Sequence, residues 1–334
     1  MAVRVKVNMD AVFFSRLDEM DFLQEGHRLE FSKEGDVSSD LTYKGVVYNE
    51  MKGVYSSAES TLVYELNRAT FPDSPYFYES GGLPAAIPEL TYETYLAFHE
   101  ECYHPSNSYI HLYGDFAVEA TLAQLDGYLN RFDAREVDLP IFVQKRFAEP
   151  KEIYSTYPAD ESEKGEAYLS LNWLLDSSLT QGHHLEWGIL NGILLSSSAS
   201  ILRKALVDSE LGEDVLAYGF DCDALESSFC LGLKRSSATK KEAFESLVLK
   251  TLRDVVRDGI PKKLIRAAMT SMEFQLREAN YGSYPKGLIY SINSLTTWLY
   301  GDDACGHLYY EEYLADLKEK VASGPYFEQL IEKY

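Results

Sequence analysis

Four cysteines in 334 residues, Cys102, Cys222, Cys230 and Cys305, are too few and too scattered for a disulfide framework, and none forms a Cys-x-x-Cys pair. This excludes a disulfide-stapled secreted module and a zinc ribbon, and it fits ordinary thiols in a reducing compartment. Cys222 and Cys230 have the spacing to face each other across a hairpin, which makes them the one pair to check. No apolar run reaches the length of a membrane span. The opening stretch, MAVRVKVNMDAVFF, has neither the apolar core nor the cleavage site of a signal peptide. Basic residues are scarce, 31 against 53 acids, for a net charge of −22. That balance opposes nucleic acid and anionic membranes, and it suits a soluble protein or one with cationic partners. Gly-x-Ser-x-Gly, a Walker loop and Gly-x-Gly-x-x-Gly are all missing. Ser-x-x-Lys occurs twice, at Ser237/Lys240 and Ser283/Lys286, without companion motifs, and a pattern that loose arises by chance.

Apolar residues make up 46% of the chain and tyrosine alone accounts for 25 positions, so there is material for two packed domains. The pattern predicts a helix near the start and a long helical stretch over 43–71 kinked at Gly53. A Pro/Gly-rich loop follows. Thr91 caps a helix that ends before Pro105. Residues 107–115 and 151–158 alternate like strands. Around 136–150 periodicity is lost, which predicts a linker between domains 1–135 and 151–334. Beyond it, 166–175 reads as a strand, 181–207 as helix interrupted at SSSAS, and 215–223 with 227–236 as a hairpin. A capping box of Thr239 and Glu242 opens a helix that Gly259 closes, and Pro261 opens the next. Strands and helices in this order make an α+β fold.

The stretch QGHHLEW brings His183, His184 and Glu186 together. His-x-x-Glu-His is the helical zinc motif in which two histidines share a helix face and the glutamate acts as general base. Here His183 and Glu186 keep the spacing, but Trp187 holds the second histidine's position, and an indole has no lone pair for a metal. The bland reading, polar residues on a partly buried helix, is favoured. His27, His99, His104, His111 and His307 show no ligand spacing. Glu50, between Val46, Val47, Met51 and Val54, is a carboxylate on a mainly apolar helix; it needs a partner, a metal or access to solvent.

MDAVFF, DFLQEGHRLEF, YKGVVYNEMKGVYSS and FPDSPYFYESGGLPAAIPELTYETYLAFHEECYHPSNSYIHLYGD together resemble the presequence-protease branch of the pitrilysin/insulinase metallopeptidases, the inverzincins related to falcilysin. The resemblance is dense over about residues 9–116 and weaker beyond 150. It implies an enzyme of four homologous α+β domains in two halves that close around an unfolded peptide and hydrolyse it with a zinc-bound water. It assigns Glu50, in NEMKG, as the third zinc ligand. The two histidine ligands and the general base lie further upstream in the family than the 49 residues before Glu50 allow. The chain is therefore expected to be a piece: the later part of the catalytic-type domain, then most of the second, non-catalytic domain. No zinc is expected on this chain alone. His183–Trp187 falls where the sister domain would carry its motif, as a degenerate internal repeat.

Two further readings stand beside the inactive enzyme piece: a naturally truncated subunit that binds peptides or a partner, and a structural scaffold. The expected partners are unfolded peptides and the remaining domains of the parent protein. An incomplete first domain is also expected to self-associate through uncovered apolar surface. Compartment is not legible.

Overall fold

The computed structural model describes residues 2–137, 141–159, 165–180 and 182–334. It is an α+β protein that separates into two compact units, residues 1–61 with 78–141 and residues 62–77 with 142–334.

In the first unit, helix α1 (Ala2–Phe13) lies against α6 (Val118–Leu129). Val5, Met9 and Leu125 form the buried contact, and Ile110 and Leu112 pack on it. Between these helices come α2 (Glu19–Glu25), an antiparallel hairpin of β1 (Arg28–Phe31) and β2 (Leu41–Lys44), α3 (Val46–Val54) and α5 (Tyr92–Cys102). Thr91 caps α5 as expected. Its hydroxyl accepts from Thr94 N at 3.2 Å while Thr94 Oγ1 accepts from Thr91 N at 3.0 Å, so two end donors are satisfied reciprocally. The loop after residue 77 rests on α3 because Gly81 has no side chain. A Cβ there would stand 2.4 Å from Met51 Sδ.

Helix α4 (Ala58–Thr70) runs from the first unit into the second. The second unit is built on an antiparallel sheet ordered β3 (Ala167–Ser177), β5 (Glu226–Ser236), β4 (Asp214–Asp221). The β3–β5 register pairs Leu171 with Leu231 and Trp173 with Phe229, which puts alternate apolar side chains on one face. Helices α7 (His183–Leu194), α8 (Ile201–Asp208) and α9 (Lys241–Asp258) pack on the sheet, α10 (Lys262–Glu278) and α12 (Glu311–Ser323) on α7, and α13 (Tyr326–Lys333) on α9; α11 (Lys286–Trp298) lies between α10 and α12 in the chain. Helix α7 sits deepest: Leu185, Trp187, Ile189, Leu190, Ile193 and Leu194 are all buried. A bulge in β4 at Gly219 (φ 75°) admits it, since a Cβ there would meet Asn191 Oδ1 at 2.3 Å.

Three local expectations are corrected. The stretch 43–71 is not one helix kinked at Gly53: residues 43–44 belong to β2, α3 runs through Gly53, and the break falls at 55–57. There Ser56 Oγ donates to Gly53 O at 2.6 Å and competes with the helix ladder. Residues 107–115 and 151–158 are not strands. A strand needs a ladder partner; β1 and β2 pair with each other, and β3, β4 and β5 form their own sheet. The alternation in 107–115 half-buries Ile110 and Leu112 against the α1–α6 contact without a ladder. No capping box opens α9; a 3-10 turn, Ala238–Lys240, precedes it, and Ser237 accepts from Thr239 N instead. Cys222 and Cys230 are free thiols.

Candidate functional site

Glu50 stands on α3 with its side chain in solvent. Of the apolar residues around it only Met51 is buried; Val46, Val47 and Val54 are exposed. The helix that looked apolar in sequence is therefore a surface helix in this chain, and the carboxylate pays no burial penalty. Among the described residues, no group of three or more His, Cys, Asp or Glu lies close enough to hold a metal ion.

His183 opens α7 and is buried. Its Nε2 meets Ser227 Oγ at 2.7 Å, and Ser227 Oγ donates to Asp176 O at 2.8 Å. The serine spends its single proton on that carbonyl, so it receives the proton carried by His183 Nε2. A nitrogen in that state has no lone pair for a metal. His183 Nδ1 lies 3.3 Å from Glu186 Oε1. The other oxygen of Glu186 accepts from Tyr326 OH of α13, and burial, then this carboxylate, raises the phenol's pKa. The glutamate in the general-base position is thus held by Tyr326 of α13. Trp187 is buried and stacks on Phe220 of β4 with centroids 5.9 Å apart and planes 15° apart; Tyr334 meets it edge-on at 5.3 Å. The second-ligand position is a core position.

His184 points elsewhere. Both its ring nitrogens are buried without a hydrogen-bond partner, and its ring lies 4.3 Å from that of His307. Burial, then His307 and His183, pushes its pKa down to about 3. His307 is fixed at both ends: Nε2 lies 3.1 Å from Ser178 O and so carries the proton, while Nδ1 lies 2.8 Å from Thr296 Oγ1. Its pKa is also lowered, chiefly by burial. The start of α7 therefore ties together β5, α13 and the loop before α12. The residues present do not fit a zinc ion, because His183 and Glu186 are spent on structural partners and the remaining position is an indole.

The other sequence candidates are also placed. Lys240 Nζ donates to Glu210 O and Leu211 O, and Lys286 Nζ to Glu278 O; both Ser-x-x-Lys lysines brace backbone. His27 binds Leu90 O at 2.8 Å, His99 stacks on Tyr103, and His104 accepts from Ser106 N. Burial pushes the Cys222 and Cys230 thiols up to about 12, which makes them unreactive. Sequence reasoning missed Ser227, Tyr326 and His307 as partners of the QGHHLEW stretch.

Comparison with known proteins gives the context for this arrangement. The family profile described as "Peptidase M16 inactive domain" matches residues 89–272. Protein HypA of Clostridium perfringens is 41% identical, covering 98% of this chain and 34% of its own length. Presequence protease 1, chloroplastic/mitochondrial, of Arabidopsis thaliana is 39% identical over 98% of this chain and 31% of its own length. The chain thus spans about a third of the length of these relatives. Among solved structures, a protease from Helicobacter pylori has the same fold, with a TM-score of 0.66 at 16% identity, over 86% of this chain and 67% of that one.

Proposed function

The chain belongs to the M16 peptidase family, and from that premise we propose that it works as one part of a zinc-dependent endopeptidase for unfolded peptides. In this reading the first unit is the later part of the catalytic-type domain and supplies Glu50 as one of three zinc ligands. The histidine ligands and the general base come from outside this chain. The second unit is its non-catalytic sister, in which His183–Trp187 occupies the place of the zinc motif. The observation that carries the reading is the state of that motif: His183 donates to Ser227, Glu186 is held by Tyr326, and Trp187 is packed in the core. Such a domain supports a neighbouring site and does not cut. No helix among the described residues is long and apolar enough to cross a membrane.

The experiment has two arms. The pure chain is expected to leave an unstructured fluorogenic peptide intact. A chimera in which this chain replaces the matched third of the Arabidopsis presequence protease is expected to cleave it, to be stopped by a chelator, and to lose cleavage on Glu50→Ala. Chelator-sensitive cleavage by the pure chain, or full activity of the Glu50→Ala chimera, would refute the reading. The "inactive domain" description of the matching profile also favours a second reading, a peptide-binding subunit that never cuts. Saturable binding of the same peptide by the pure chain, with an inactive chimera, would select it.

A further inference from the structure

Trp187, which stands in the second ligand's place, also bounds a cavity inside the second unit. The β3–β5 register sets Trp173 beside Phe229, with ring centroids 6.1 Å apart and planes 59° apart. Trp187 of α7 reaches Phe229 at 6.0 Å and 46°, and Tyr334, just after α13, meets Trp187 at 5.3 Å and 74°. Aromatic pairs favour such tilts, and four rigid rings held this way do not close on one another. They leave a cavity of about 40 Å³ between the sheet, α7, α9 and α13. Trp187 and Phe229 are buried in its wall, while Trp173, Leu252, Ile331 and Tyr334 are half-buried around it.

The chemistry of this wall is one-sided. The Trp187 indole Nε1 is buried without a hydrogen-bond partner. An indole nitrogen can only donate, and a buried donor left unpaired is costly. The charges beside Tyr334 are spent on one another: Asp176 accepts from Arg146, from Lys333 and from the Tyr334 hydroxyl. An ion therefore finds no free counter-charge there. The volume exceeds the roughly 10–15 Å³ that admits one water and falls well below the roughly 150 Å³ of a cavity that takes benzene. A buried water is held by about three hydrogen bonds, and this aromatic and aliphatic wall offers it one unspent donor. An apolar body with one acceptor fits better.

We propose that this cavity is a binding site for a small neutral molecule, an apolar body of about three or four heavy atoms with one hydrogen-bond acceptor, as in a short-chain ketone, and that the Trp187 indole N–H donates to that acceptor. The volume sets the size, the rings and aliphatic side chains set the apolar body, and the orphaned indole sets the acceptor. Every residue lining the cavity belongs to the second unit, so the site is the same whether the chain serves an enzyme or a binding subunit. A molecule held there touches the sheet, α7, α9 and α13 together and stabilises their packing by binding only the folded unit.

The test follows the indole N–H signals of the pure chain by nuclear magnetic resonance during a titration with propanone. The chain has three tryptophans, and Trp173→Phe and Trp298→Phe assign the Trp187 signal by elimination. That signal is expected to move downfield and saturate with a Kd on the order of 1 mM, while the Trp298 signal follows solvent composition alone. Leu252→Phe, which fills the cavity from α9, is expected to weaken the response at least about tenfold. Ile331→Phe fills it from α13 and replaces the first variant if that one does not fold. Xenon supplies an apolar body without an acceptor and is expected to leave the Trp187 indole proton in place. A Trp187 shift that never saturates, a saturable shift that survives the filling variant, or an equal shift with xenon overturns the proposal. So does a long-lived water on the indole proton that propanone does not displace.

Discussion

The two units solve the same packing problem with unequal means. The second unit surrounds one almost fully apolar helix, α7, with a three-stranded sheet and several helices, and buries a continuous cluster from Leu169 to Leu330. The first unit buries Val5, Met9 and Leu125 in one small contact and leaves Leu29, Phe31, Leu41, Tyr43, Val46 and Val47 exposed. Its order rests more on local devices: the Thr91 cap, the β1–β2 hairpin and the Gly81 contact. The residue assigned a metal role by resemblance, Glu50, lies in the thinner unit, while the residues that imitate a metal motif lie in the thicker one. The difference teaches that motif letters take their meaning from what surrounds them. In the second unit the surroundings engage His183 and Glu186 and bury the Trp187 indole; in the first they leave Glu50 in solvent.

The comparison is tested most severely by Trp187→His, which restores the letters His-x-x-Glu-His. It removes an indole stacked on Phe220, and large-to-small replacement of a buried aromatic costs about 3–5 kcal/mol. Denaturant unfolding is expected to show a loss of that size, and calorimetry is expected to show no stoichiometric zinc binding because the His183 proton still belongs to Ser227. Zinc binding with preserved stability would mean that the second unit is a dormant metal site and not a packed core.

Next in size is the acid response of His184. Its folded pKa of about 3 lies below the ordinary histidine value of 6.5. Above pH 6.5 the ring is neutral in both folded and unfolded chains and contributes no pH dependence. As pH falls from 6.5 toward 3 the unfolded chain takes up the proton first, so stability drops, by about 3 kcal/mol at pH 4. His184→Leu is expected to flatten the stability profile of the second unit between pH 6 and 4. An unchanged profile would remove the histidine pair from the account of how the unit is held.

Smaller effects probe the first unit. Thr91→Ala removes one half of a reciprocal cap and is expected to cost about 1 kcal/mol, read as faster exchange of the first α5 amides. A cost near zero would show that packing, not the cap, sets the start of α5. Glu50→Ala in the isolated chain is expected to change stability by less than about 0.5 kcal/mol, because the side chain is in solvent. A loss well above that would mean Glu50 has a structural partner, and the contrast with the spent glutamate, Glu186, would fail.

Much of the fold was legible where its cause is local. Thr91, Pro261 and Gly259 mark helix ends with residues whose effect reaches three or four positions, and the structure has ends at all three. Trp187 was legible as a residue that cannot ligate metal, and its side chain is buried. The failures have a common origin. Residues 107–115 and 151–158 have strand-like alternation, but a strand is made by its partner, and partnership is not written in the alternating segment. The burial of Thr296 and Thr297 on α11 was invisible for the same reason, since nothing within Lys286–Trp298 states that Asp303 and His307 will meet their hydroxyls.

The sequence by itself determined the family, the α+β order of elements and the fact that His183-x-x-Glu186-Trp187 lacks a ligand, because these depend on residue identity and short spacing. Only the tertiary structure decided what those polar residues do instead. Ser227 lies 44 positions from His183, and Tyr326 lies 140 from Glu186. Which nitrogen carries a proton, and which imidazole loses its water, is set by groups brought together by the burial of α7, and that burial is a property of the whole core.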